Sequence, residues 1–125
     1  MTILLDSNVI IYSTRPEPEF EKLSQYLAER SFFVSIVSYV EVLGFKGIDS
    51  QDAKAFRAFF DKTGILQLDR EIAERAVQLR QLRKMSLGDA LIAATALEKN
   101  LTLLTYNTDD FEWIVDLNLL SPQFD

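Results

Sequence analysis

The chain opens on an apolar run, Ile3-Leu4-Leu5, that breaks at once into Asp6-Ser7-Asn8. The run predicts a short buried strand, and the break predicts a helix over about residues 8–14. Arg15-Pro16-Glu17-Pro18 predicts a loop between helices, because proline fixes φ and removes a backbone donor. From Glu17 to about Arg30, Phe20, Leu23 and Leu27 recur at helical spacing. Phe32-Phe33-Val34-Ser35-Ile36 is aromatic and β-branched, the signature of a second strand, and a helix is expected from about Ser38 to Phe45. Ser50 is placed to cap a helix reaching about Lys62, with Phe56, Phe59 and Phe60 inward and Gly64 as its stop. Ile65–Leu68 predicts a strand, and Asp69 a cap for a helix from Arg70 to about Lys84. The next helix is expected from Leu87 to Lys99, with Ala90, Leu91, Ala94 and Leu97 on its apolar face. Leu101–Leu104 predicts a strand, and Ile114–Leu119 a last short one.

Strands alternating with helices imply a parallel sheet with right-handed crossovers and helices on both faces. In such a sheet the strand C-termini and helix N-termini share one edge, where ligands bind. Asp6 and the segment Thr105-Tyr106-Asn107 leave strand C-termini in this reading. Glu41 and Asp89 fall in first helical turns, so residues far apart in sequence converge on one rim.

Each acid also has an ordinary structural role open to it. Asp6 can cap the helix that follows it. Ser38-Tyr39-Val40-Glu41 and Ser86-Leu87-Gly88-Asp89 both match a capping box. Asp109 and Asp110 can form a polar turn before Phe111. Caps alone, however, would be scattered over both ends of the sheet. No Lys or Arg lies within four positions of Asp6, Glu41 or Asp89. Three carboxylates gathered without a cation repel one another, and a divalent ion would relieve that repulsion. Gly88 and the small residues from Ala90 to Ala96 let the late helix approach the sheet closely, which brings Asp89 near the strand ends.

Composition narrows the chemistry. The chain has 125 residues, 48% hydrophobic and 26% charged, without repeats or low-complexity segments, which suits one domain over residues 1–125. With no Cys there is neither a disulfide nor a zinc–thiolate site, and with no His there is no imidazole base. Hydrolytic chemistry must then rest on carboxylates, hydroxyls, lysine or a metal. Oxygen ligands favour Mg²⁺ or Mn²⁺. The net charge of -6 argues against broad nucleic-acid binding unless a bound cation reverses the charge locally. No apolar run approaches the roughly 18 residues of a membrane span, and no basic segment precedes the first apolar run. A cytoplasmic protein is expected.

Four segments carry a resemblance to a known family: Ile3 to Ile10, Ser35 to Glu41, Gly88 to Ala96, and Leu103 to Phe111. In this order and in so short a chain they resemble the PIN-domain proteins, and more narrowly the VapC-like toxins of toxin–antitoxin pairs. The resemblance spans nearly the whole chain. It implies a PIN-like three-layer α/β/α sandwich around a mainly parallel sheet, and a metal-dependent endoribonuclease acting on tRNA, rRNA or mRNA. It implies that Asp6, Glu41 and Asp89 hold one or two Mg²⁺ or Mn²⁺ ions and carry catalysis. A fourth acidic position of many relatives falls on Asn107, which could ligate through its carbonyl oxygen, with Asp110 as a substitute. Ser7 and Thr105 would orient this group through their hydroxyls. It also implies a small antitoxin as partner and a homodimer, with no membrane association.

Substrate contacts must come from basic residues despite the acidic total. Arg80, Arg83 and Lys84 precede the Asp89 segment, and Lys46, Lys54 and Arg57 are further candidates; a solvated helix face is the alternative for each. Among competing readings, a catalytically inactive PIN relative that binds RNA or protein draws on the missing acid at Asn107. A response-regulator receiver lacks its phosphoacceptor Asp after Ile65–Leu68, and a haloacid-dehalogenase-like phosphatase lacks its second Asp, where Asn8 stands.

Overall fold

The computed structural model describes residues 1–123. Five strands form one sheet in which every adjacent pair is parallel. They are β1 (Ile3–Leu5), β2 (Phe32–Ser35), β3 (Gly64–Leu66), β4 (Thr102–Leu104) and β5 (Leu119–Leu120), in the spatial order β3-β2-β1-β4-β5. Six α-helices accompany them: α1 (Ser7–Ser13), α2 (Glu21–Ala28), α3 (Ile36–Leu43), α4 (Ser50–Asp61), α5 (Arg70–Leu82) and α6 (Leu87–Lys99).

The burial pattern explains the layering. In β1, the central strand, Ile3, Leu4 and Leu5 are all fully buried, as a strand covered on both faces requires. Alternation sends Leu4 and Leu103 into a core with Ile72, Ala76 and Leu79 of α5 and with Ala90, Ala93 and Ala94 of α6. Ile3, Leu5 and Leu104 enter the opposite core, with Val9, Ile10, Leu23, Leu27, Val42, Phe56 and Phe60. Helices α5 and α6 therefore cover one face and α1–α4 the other. That is the three-layer sandwich expected from the sequence, with a wholly parallel sheet.

Several boundaries depart from the sequence reading, each for a local reason. The Glu17–Arg30 helix is divided, because proline starts a separate 3-10 turn at Pro18–Phe20 before α2. Asp49, not Ser50, caps α4 by accepting the Asp52 N–H at 2.8 Å. Gly64 is not the helix stop but the first residue of β3. The last strand is Leu119–Leu120; before it Ile114 and Leu117 are buried on either side of an exposed turn at Val115-Asp116. α5 ends at Leu82, so of the three basic residues only Arg80 lies inside the helix.

The largest consequence for the site concerns α3. It begins at Ile36, two residues earlier than expected, and its cap is Ser35, which accepts the Val37 N–H at 3.0 Å. Ser38-x-x-Glu41 is therefore no capping box, and Glu41 lies in the second turn rather than the first.

The topology locates the crevice. From β1 the chain steps outward to β2 and β3, then crosses to β4 on the other side of β1. The order reverses between β1 and β4, and ligands bind outside the carboxyl ends of strands at such a switch point. Asp6 and Thr105 are the residues that leave those two strands, and the Asp6 N–H donates to the Leu104 carbonyl at 2.9 Å.

Candidate active site

Asp6 forms the floor. It is 5% exposed, and its two oxygens have separate duties. Oδ1 accepts the Ser7 N–H at 2.8 Å, capping α1; Oδ2 accepts the Thr105 hydroxyl proton at 2.7 Å. Capping and site roles thus coexist in one residue. Thr105 is fully buried, and its oxygen also accepts the Asn107 N–H at 3.0 Å.

Glu41 reaches the same rim from α3. Its Oε1 accepts from the Ser7 hydroxyl at 2.8 Å. Its Oε2 lies over Gly88, where an added Cβ would stand 2.6 Å away. Only glycine leaves that space without a shift. Asp89 follows in the first turn of α6, whose cap Ser86 accepts the Asp89 N–H at 3.1 Å.

The electrostatics are those of an uncompensated group of acids. Burial pushes the Asp6 carboxyl above its ordinary 3.8, against the opposing bonds from Thr105 and Ser7; the charges of Asp89 and Glu41 push it further up. Asp89 is raised too, mainly by burial and then by Asp110 and Glu41, against the Ser86 hydroxyl. The ion pairs among the described residues are Arg75–Glu98 and Lys99–Asp69, and neither involves a rim acid; Arg80, Arg83 and Lys84 line the cleft beside Asp89 without a salt bridge to it.

Among the described residues, no three acidic groups stand tightly enough together to hold one ion as they lie. Glu41 is bonded to Ser7 and its carboxylate lies beside Gly88. The donor set nevertheless fits a hard divalent cation: it is all oxygen, its two aspartates are partly desolvated, and no salt bridge engages it.

The remaining sequence candidates separate. Asp110 lies in a 3-10 turn, Thr108–Asp110, near enough for its charge to act on Asp89. The Asn107 side chain is exposed, and the contact it brings to the site is its backbone N–H. Arg80, Arg83 and Lys84 line a cleft of 560 Å³ together with Asp89, Asp109, Asp110 and Trp113. Trp113 donates its indole N–H to the Asp110 carbonyl at 3.1 Å, and the Arg83 guanidinium lies 5.6 Å from its ring centre. Lys54 and Arg57 belong to α4, and Arg57 donates to the Tyr39 hydroxyl at 3.1 Å. They and Lys46 are not among the cleft's lining residues.

Sequence reasoning missed Ser38 and Trp113. Ser38 looked like a cap; it is fully buried, with its oxygen 2.9 Å from that of Ser7. A polar residue three positions before Glu41 on one helix was the signal available.

The raised carboxyls predict a stability effect. A group whose folded pKa exceeds its unfolded value favours the fold when protonated, and that contribution is lost as pH rises through the folded value. In chelator at pH 7, Asp89→Asn is therefore expected to melt at a higher temperature than the unaltered protein. The gap should close as pH falls through the raised Asp89 pKa and the carboxyl protonates. Thermal melts of both proteins across that range check the sign; a gap that widens towards acid would contradict it.

Comparison with known proteins adds independent findings. The PIN domain profile matches residues 3–115. Ribonuclease VapC1 of Haemophilus influenzae (strain R2866) is 30% identical over 127 aligned positions, covering 94% of this chain and 95% of that protein. A chain of a toxin–antitoxin complex from Klebsiella pneumoniae superposes with a TM-score of 0.76 at 31% identity, over 98% of this chain and 99% of that one. VapBC2 from Rickettsia felis, solved with a DNA fragment from its promoter, gives a TM-score of 0.81 at 21% identity over 100% of both chains. At that lower identity the likeness speaks for the fold alone.

Proposed function

The chain belongs to the PIN domain family, and on that premise we propose that it is a divalent-metal-dependent endoribonuclease, the toxin of a toxin–antitoxin pair. The observation that carries this reading is the buried Asp6 carboxylate at the sheet's switch point, tied to Thr105 and facing Glu41 and Asp89. Asp6, Glu41 and Asp89 would hold Mg²⁺ or Mn²⁺, with Asn107 or Asp110 in reach of a second position. When bound, the cation supplies positive charge that stabilises the charge growing on the phosphate oxygens.

The protein's own groups do the rest. Thr105 and the Ser7 N–H hold the Asp6 carboxylate in one orientation. The Ser7 hydroxyl holds Glu41. An ionised carboxylate at the rim takes the proton of the water that attacks phosphorus, and the P–O bond opposite the water breaks. No imidazole is needed, nor is a 2′-hydroxyl, which is consistent with a chain that has no His.

The cleft beside Asp89 supports a path for the RNA backbone. Its three cations, Arg80, Arg83 and Lys84, face three acids, Asp89, Asp109 and Asp110, so it is formally neutral. A divalent ion at Asp89 tips it positive, which accommodates RNA on a chain of net charge -6. Replacing the three cations by Gln is expected to weaken RNA binding. The slope of log affinity against log salt should fall by about 0.7 per lost phosphate contact, about 2 in all. Fluorescence anisotropy with a cleavage-resistant single-stranded RNA analogue, in Mg²⁺ and with the site acids intact, measures both. An unchanged slope would remove these residues from the interface.

Partners follow from the same premise. We assign the protein a small antitoxin and a second copy of itself. Exposed Val40, Phe45, Leu82 and Leu87 support the presence of partners by offering apolar surface to bury. We place the protein in the cytoplasm, with its RNA; no helix among the described residues is long and apolar enough to cross a membrane.

The reading is tested by incubating purified, antitoxin-free protein with total RNA in Mg²⁺, Mn²⁺ or chelator. Discrete fragments in metal and none in chelator are expected. Metal binding without cleavage would favour the alternative of a binding-only PIN relative, which Asn107 in place of an acid suggests.

A further inference from the structure

Glu41 is held by a neighbour that no catalytic role explains. Ser38 is fully buried one turn earlier on α3, and its hydroxyl oxygen lies 2.9 Å from that of Ser7. Ser7 in turn lies 2.8 Å from Glu41 Oε1. A serine hydroxyl carries one proton, and an ionised carboxylate can only accept. The Ser7 proton must therefore go to Glu41, which leaves Ser7 to accept the proton of Ser38. The three groups form a directed chain, Ser38 to Ser7 to Glu41.

The opposite side of the carboxylate is fixed by absence of bulk. A Cβ on Gly88 would stand 2.6 Å from Glu41 Oε2 and 3.1 Å from its carboxyl carbon. The carboxylate is exposed at the rim, bonded to Ser7 on one side and beside the bare Cα of Gly88 on the other. Without these contacts the side chain would be a flexible acid with three rotatable bonds.

We propose that Ser38 is a positioning residue of the site: through Ser7 it sets the Glu41 carboxylate, and Gly88 keeps the space into which that carboxylate is set. This rests on the reading of Glu41 as a ligand of the divalent ion. Ser38 never touches ion or RNA in this scheme. Partners of this kind, one step behind the ligands, typically change metal affinity by about 10–100-fold.

The test is Mn²⁺ binding, measured by calorimetry on the full chain, with RNA cleavage read separately. Ser38→Ala is expected to weaken Mn²⁺ binding by about tenfold or more. Ser38→Thr keeps the hydroxyl and should restore binding, whereas Ser38→Val fills the space without a donor and should not. A merely structural role predicts the reverse order, since valine suits a buried helix position at least as well as alanine. Gly88→Ala is the second arm: alanine favours a helix, so the fold should survive while Mn²⁺ binding falls. Unchanged Mn²⁺ affinity in well-folded Ser38→Ala and Gly88→Ala overturns the proposal, even if the protein cleaves RNA. Weakened binding in both, in a protein that cleaves no RNA, would uphold the positioning role and refute the nuclease reading. Unaltered protein that binds no Mn²⁺ would overturn both.

Discussion

Asp6→Asn protein is expected to lose RNA cleavage by about 10³-fold or more, a loss of several kcal/mol of transition-state stabilisation. The fold should remain, because asparagine can still accept the Ser7 N–H and cap α1. What it removes is the negative charge at the switch point and the acceptor for the Thr105 proton. The measurement is initial cleavage rate at saturating metal beside a far-UV spectrum and a melt. Full activity in a folded Asp6→Asn protein would eliminate the carboxylate rim as the catalytic centre. Loss of fold along with activity would mean that the buried Asp6–Thr105 bond chiefly holds β1 to β4.

The second large effect is thermal. Chelated protein keeps Asp6, Glu41 and Asp89 at one rim with no salt bridge to any of them, and burial already disfavours the ionised forms of the two aspartates. An ion that binds only the folded state stabilises it by mass action, about 2.7 kcal/mol at a hundred times Kd. For a chain of this size that is on the order of 10 °C in Tm. Mn²⁺ is expected to produce such a rise in the unaltered protein and little in Asp6→Asn. Because the ion takes the deprotonated acids, the rise should shrink as pH falls towards the raised pKa values. Equal rises in both proteins would place the ion elsewhere.

Much of the architecture was legible because two periodicities write it plainly. Ile3-Leu4-Leu5 and Leu103-Leu104 are continuous apolar runs, as buried parallel strands demand. Leu23 and Leu27 mark the buried side of α2 by spacing alone. Asp6 was readable as both cap and site residue, and it is positioned to be both. Glu41 was legible in identity and not in setting. Ser35 and Ser38 both satisfy the rule for a helix cap, and β2 decides between them by pairing with β3 through Ser35. That pairing is a contact between distant segments, invisible to a local pattern. The same limit hid the Ser7–Ser38 bond, which joins residues 31 apart, and the nearness of Glu41 to Gly88. The basic cleft was half legible: Arg80, Arg83 and Lys84 were visible as a group, and Trp113 was not, since only the folded chain turns it under Arg83.

The bond between Thr105 and Asp6 joins residues 99 positions apart and closes the central crevice from both ends of the chain. A ribosome adding about 5–20 residues per second emits Asp6 seconds before Thr105, and until β4 docks beside β1 the first strand has no crevice. A nascent chain is in that sense inert: it carries the acids and not their arrangement. Competence would arrive only once β4 has emerged and docked beside β1, when a protein partner can also reach the completed surface.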